Sequence, residues 1–169
     1  MRPAVVLVGP PGVGKSTVGA IVAARLGVPL RDTDEDIAAE QGRSVQEIFV
    51  ESGEPHFREL ERQAVARALA EHDGVLSLGG GAPLHSETRR LLREHHVVFL
   101  DVGLAQAASR VGLNSGRPLL LGNVRGQLKR LMDERRPVYT EVATVTIDTD
   151  GRTPEEVAEA VIDAVKANR

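Results

Sequence analysis

The chain has 169 residues, 41% of them hydrophobic, with no Trp, one Tyr and three Phe, so one domain with an aliphatic core is expected. Lys and Arg number 21 against 24 Asp and Glu, a net charge of −3 that speaks against nucleic acid as a partner, because a phosphate backbone calls for a basic face. With no Cys, disulfides and thiolate zinc sites are excluded; no apolar run reaches membrane-span length and the first strand starts too early for a signal peptide. A cytoplasmic protein with no membrane partner is the expectation.

Ala4 to Val8 is a short apolar run ending in glycines, the pattern of a central buried strand. Lys15 to Leu26 has helical periodicity and a Gly27 stop. Val28 to Asp32 reads as a second strand that runs into the acidic Asp32-Thr33-Asp34-Glu35-Asp36. Ser44-Val45-Gln46-Glu47 is a capping box for a short helix ending near Gly53, and Glu54 to Glu71 is a longer helix. Val75 to Leu78 is a strand that meets Gly79-Gly80-Gly81. Helix is expected over Ser86 to Glu94, strand over Val97 to Asp101 and helix over Leu104 to Val111. From Gly112 to Gly122 no period survives, which predicts a mobile loop. Gly126 to Glu134 returns to helix and Thr144 to Asp148 to strand, and Thr153-Pro154-Glu155-Glu156 opens a last helix with Pro at its first position. The alternation predicts an α/β fold: a three-layer, doubly wound, parallel five-stranded sheet with helices on both faces.

Gly9-x4-Gly14-Lys15-Ser16 satisfies the P-loop pattern and lies between a strand and a helix, where it must. The backbone of Gly12, Val13, Gly14, Lys15, Ser16 and Thr17 would surround the phosphates of ATP, aided by the helix N-terminus. Lys15 would reach the β- and γ-phosphates, and the Ser16 hydroxyl would ligate Mg²⁺. Asp32 and Asp34 follow the second strand at the carboxyl edge of the sheet. If the segment stays extended, alternation puts them on one side, one for the metal through water and one as a base; the plainer reading is that they open the next helix. Asp101 ends an apolar strand but is followed by Val102, so the water-activating Glu of a mechanical ATPase is missing. Asp101 is read as a strand-end or capping residue. His85, His95 and His96 have no ligand companions and are read as surface residues.

Phe49-x3-Gly53-Glu54-x2-Phe57-Arg58-x2-Glu61, Gly79-Gly80-Gly81, Arg117-Pro118-Leu119-Leu120 and Arg135-x-Pro137-x-Tyr139 fall in this order. With the P-loop, they make the chain resemble the shikimate kinase family from Val5 to about Pro154. The resemblance implies a P-loop fold like that of nucleoside monophosphate kinases, and phosphorylation of the 3-hydroxyl of shikimate by ATP with Mg²⁺. It implies that Asp34 binds the acceptor hydroxyls and acts as base, and that Asp32 contacts Mg²⁺ through water. Arg58 and Arg135 would clamp the shikimate carboxylate, helped by backbone at Gly79, Gly80 and Gly81. Arg117 would reach the phosphates from a lid at about 112–124, and Arg110 and Arg152 would line the adenine side. Residues 1–169 would be one domain, with an acceptor-binding segment at about 33–61.

Independent chemistry agrees: a carboxylate acceptor asks for forked guanidinium groups, and phosphoryl transfer asks for positioning and charge stabilisation. Arg58 could otherwise be a surface partner of Glu54 and Glu61, although in the family pattern Glu61 orients it. The R-x-P-x-Y spacing selects Arg135 and leaves Arg136 as a surface charge. A gluconate kinase-like enzyme and a catalytically silent nucleotide-binding module are the alternatives. Neither accounts for all the motifs together. Neither heptads nor long apolar edges suggest assembly, so a monomer is expected.

Overall fold

A computed structural model describes residues 3–10, 13–103, 106 and 124–167. Its strands are β1 (Val5–Val8), β2 (Leu30–Asp32), β3 (Val75–Ser77), β4 (Val97–Asp101) and β5 (Val145–Asp148). They form one sheet in the order β2-β3-β1-β4-β5, and every pairing is parallel. The helices are α1 (Lys15–Leu26), α2 (Thr33–Gln41), α3 (Val45–Ser52), α4 (Glu54–Glu71), α5 (Ser86–Leu92), α6 (Val124–Val142) and α7 (Pro154–Ala167). A 3₁₀ turn spans Ala82–Leu84.

Side-chain alternation along the strands builds two cores. Val5 and Leu7 of β1, with Val98 and Leu100 of β4, meet α1 and α7 on one face. Val6, Val8, Val97 and Phe99 face the other way, onto Val65, Ala68 and Leu69 of α4 and Tyr139 and Val142 of α6. The three layers follow from sheet faces that each need an apolar cover. A third, smaller core joins Ile37 of α2, Ile48 of α3 and Phe57 and Ala64 of α4. It steadies the segment between β2 and β3 apart from the main sheet.

Most element bounds agree with the sequence reading. The Ser44 hydroxyl accepts from Glu47 N–H, and Thr153 and Glu156 cap each other reciprocally at 3.0 and 3.1 Å. Two regions differ. At Asp32 and Asp34 the plainer of the two readings holds in place of extended alternation: Asp32 is the N-cap of α2, and its carboxylate accepts from the backbone N–H groups of Asp34 and Glu35. An aspartate followed by three acidic residues favours that cap over a continuing strand.

Helix α6 does not stop near Glu134 but continues through Pro137 to Val142. Pro137 has no N–H to offer the preceding turn, a cost of about 3 kcal/mol for an interior proline. Burial of Tyr139 (1% exposed) and Val142 against the sheet offsets it, and the Thr140 hydroxyl donates to Arg136 O at 2.9 Å. Of the helix expected over 104–111 only Gln106 is described, and it is helical; the loop over 112–122 and the lid with Arg117 lie outside the described residues, as do Gly12 and Arg110.

Candidate active site

Because all strands run the same way, the segments leaving β1, β2, β3 and β4 meet at one edge of the sheet, where open α/β sheets bind ligands. The loop after β1 comes first. Gly9 has φ of +153°, and a Cβ there would stand 2.5 Å from Leu100 O, so the loop lies against the β4 backbone. Gly14 is left-handed at φ +95° and turns the chain into α1. Val13 is buried beneath the loop, whereas Ser16 and Thr17 are exposed at the helix start.

Lys15 folds back over the loop and donates to Gly9 O at 2.7 Å and Pro10 O at 3.1 Å. Burial pulls its ammonium down to about 8; Asp34 and Asp32 oppose that shift and Arg135 adds to it. The Ser16 hydroxyl donates to Asp32 Oδ2 at 3.1 Å, while Asp32 Oδ1 accepts from Asp34 N–H at 2.9 Å. One carboxylate thus joins the phosphate loop to the start of α2. Two oxygens from Ser16 and Asp32 suit Mg²⁺, which keeps several waters and needs few protein ligands. Among the described residues no group of three or more His, Cys, Asp or Glu side chains is placed to hold a metal ion.

Asp34 sits in the first turn of α2, half-buried, and its buried Oδ1 has no hydrogen-bond partner among the described residues. Burial raises its pKa, Asp32 raises it further, and Lys15 and Arg58 pull it back. A Cβ on Gly79 would come within 2.6 Å of Asp34 Oδ1, so the chain after β3 approaches this carboxylate as only glycine can. The Gly79 N–H reaches the buried Thr33 hydroxyl at 3.4 Å.

Arg58 projects from α4 toward the same place. Its Nη1 donates to Glu61 Oε1 at 2.9 Å and its Nε to Glu54 Oε1 at 3.4 Å. Phe49 and Phe57 flank it, with ring centroids 5.8 and 5.6 Å from the guanidinium carbon. Glu61 is only 4% exposed, and burial raises its pKa despite the adjacent Arg58 and Arg135 charges. A side chain on Gly81 would collide with the Arg58 guanidinium. Arg135 of α6 completes the group, its charge felt at Lys15, Glu61 and Tyr139.

The structure therefore brings Lys15, Ser16, Asp32, Asp34, Arg58, Gly79, Gly81 and Arg135 to one edge. Arg152 lies exposed in the turn after β5, near Glu156, and β5 runs parallel to the other strands, so this turn too leaves the sheet at that edge. Tyr139 is a site neighbour that motif spacing alone left without a role: its hydroxyl donates to Gly80 O at 2.6 Å. The signal was available, since Tyr139 lies four residues after Arg135 and so on the same helix face.

Arg136 departs from the surface reading only in part: its side chain is 42% exposed, yet it is paired. On a different face of α6 from Arg135, its Nη2 donates to Asp101 Oδ1 at 3.1 Å and to Val102 O at 3.4 Å. Asp101 ends β4 as expected and also accepts from Val102 N–H at 2.9 Å. His96 likewise departs from the surface reading: it is half-buried, and burial lowers its pKa.

A parallel sheet with a phosphate loop on its central strand, and an arginine-lined recess beside the loop, defines a P-loop kinase of the small-molecule kind. The family model described as shikimate kinase matches residues 11–166. A shikimate kinase of Streptomyces avermitilis is 59% identical over 164 residues, covering 97% of this chain and 96% of the relative. One from Saccharopolyspora erythraea is 54% identical over 170 residues, covering 100% and 97%. The solved shikimate kinase of Acinetobacter baumannii, in complex with shikimate, has a TM-score of 0.92 at 32% identity, covering 100% of this chain and 95% of its own. The chain belongs to the shikimate kinase family.

Proposed function

We propose that the protein transfers the γ-phosphoryl group of ATP to the 3-hydroxyl of shikimate, giving shikimate 3-phosphate and ADP. One observation carries the division of labour among its residues: the Asp34 carboxylate, with a buried and unpartnered oxygen, stands between the Lys15 and Arg58 charges at the edge where the phosphate loop opens. A lone buried acceptor oxygen is suited to take a hydroxyl proton.

In this reading Asp34 accepts the proton as the acceptor oxygen bonds to the γ-phosphorus. The bond to the β–γ bridging oxygen breaks, and its electron pair leaves with ADP. Lys15 releases its two loop carbonyls and turns to the β- and γ-phosphates, as the backbone N–H groups from Gly12 to Thr17 hold the chain of phosphates. Bound Mg²⁺ neutralises phosphate charge, and Ser16 with Asp32 would hold it, the latter through water. Arg58 and Arg135 receive the shikimate carboxylate, with Glu61 fixing the Arg58 fork. The backbone of Gly79, Gly80 and Gly81 forms the floor beside them.

Arg117 at the phosphates, Arg110 and Arg152 on the adenine side and a lid at about 112–124 belong to the same reading through the family resemblance. So do a single domain over 1–169 with an acceptor segment at about 33–61, a cytoplasmic location and a monomeric state. No helix among the described residues is long and apolar enough to cross a membrane.

Coupled ADP release with shikimate, gluconate or no acceptor tests the proposal. Rapid release with shikimate alone is expected. Equal release without any acceptor would remove the kinase reading, and a preference for gluconate would replace the acceptor.

A further inference from the structure

We infer that Tyr139 is a positioning residue that ties the turn of α6 carrying Arg135 to the Gly79–Gly81 backbone, so that the two form one carboxylate-binding unit. This rests on the proposed acceptor reading. Tyr139 is 1% exposed, its ring tilts against Phe99 of β4 at 5.0 Å between centroids, and its hydroxyl donates to Gly80 O at 2.6 Å. The hydroxyl has one proton, and Gly80 takes it. Burial raises the pKa of this phenol and the charge of Arg135, one turn earlier on the same face of α6, opposes that rise.

The contact spans 59 residues and links α6 to the loop after β3. Gly79 and Gly81 have bonds of their own: the Gly79 N–H reaches the Thr33 hydroxyl, and Gly79 O and Gly81 O accept from the N–H groups of Ala82 and Leu84, both at 3.1 Å. Gly80 O between them has no hydrogen-bond donor other than Tyr139 among the described residues. Arg135 lies two residues before Pro137, where the α6 ladder lacks an N–H. One phenol holding both fixes their relative placement, and a carboxylate bound between them requires that placement. Arg58 does not depend on this link, since it is held by Glu61 and Glu54.

Replacing Tyr139 by Phe keeps the ring packing against Phe99 and removes only the hydroxyl. Y139F should raise the KM for shikimate about tenfold, as loss of one buried hydrogen-bond partner would, and leave the KM for ATP unchanged. In an R135A background the same change should cost little, because the unit is already broken. A Y139F enzyme with an unchanged KM for shikimate, or one whose ATP and shikimate constants rise together, overturns the inference. No turnover of shikimate by the unsubstituted protein overturns the acceptor reading and this inference with it.

If Y139F does not fold, intrinsic fluorescence of the unsubstituted protein decides. The chain has one Tyr and no Trp, so its emission reports Tyr139 alone. Shikimate without nucleotide, at a concentration that saturates turnover, should change that emission; no change overturns the inference.

Discussion

The two halves of the site are built on opposite plans. The donor half is contiguous: Gly9, Pro10, Gly14, Lys15 and Ser16 form a single turn, and Lys15 bonds to carbonyls only five and six residues away. The acceptor half is assembled from α2, α4, the loop after β3 and α6, and its Tyr139 contact closes over 59 residues. A phosphate is much the same in every nucleotide, so a short backbone cradle can hold it. A particular hydroxy acid has charge and hydroxyls at fixed separations, and only side chains from several rigid elements can match them. Substitutions in the acceptor half should therefore change which molecule is phosphorylated, or whether any is, while nucleotide binding persists.

Asp34→Asn should give the largest effect. Loss of a general base costs about 10²- to 10⁴-fold, so kcat should fall into that range with ATP binding nearly intact. The same variant should be more stable. Burial and Asp32 raise the folded-state pKa of Asp34, so ionised Asp34 opposes folding, and stability is lost as pH rises through that pKa. At neutral pH the neutral amide avoids this cost, so the Tm of the variant should rise. Thermal unfolding beside turnover checks both; a variant that is less stable and still active would remove Asp34 from the base role.

The donor half is open to a milder perturbation, by pH alone. The Lys15 ammonium, lowered to about 8 by burial, loses its proton as pH rises through that value, and a neutral amine holds phosphate poorly. The kcat/KM for ATP reports the free enzyme, so it should fall severalfold on the alkaline side of about pH 8. Under saturating nucleotide the phosphates favour the charged form, and the same limb in kcat should move to higher pH. An alkaline limb at the same pH in both profiles would contradict the assignment.

How much could be read in the sequence tracks the same division. The phosphate loop, the Ser44–Glu47 cap and the Thr153–Glu156 box join residues within a few positions, and each agrees with its sequence reading. The Asp32–Asp34 geometry did not follow from strand alternation, because an N-cap bond redirects the chain after a single residue. The course of α6 past Pro137 was hidden because the proline penalty is local, while the burial of Tyr139 and Val142 that offsets it comes from β4 and α4. Motif spacing pointed to Arg135, whose charge is felt at Lys15, Glu61 and Tyr139, but it carried no information about the partner of the residue next to it.

That neighbour offers the smallest effect and the sharpest control. Arg135 and Arg136 are adjacent on α6, yet about 100° of helical rotation separates them. One turns to the acceptor group and the other to Asp101 at the end of β4. The Arg136–Asp101 pair is 3.1 Å long, with side chains 42% and 28% exposed, and ion pairs so open to water contribute about 0–1 kcal/mol. Arg136→Ala should therefore lower the Tm by no more than about 2–4 °C. It should leave the KM for shikimate within about twofold, because the Asp101 contact is made by Arg136 and the tie of α6 to Gly80 is made by Tyr139. A larger rise in that KM, with stability unchanged, would show that the tether to β4 also aims the acceptor clamp, and the separation of the two halves would have to be redrawn through Asp101.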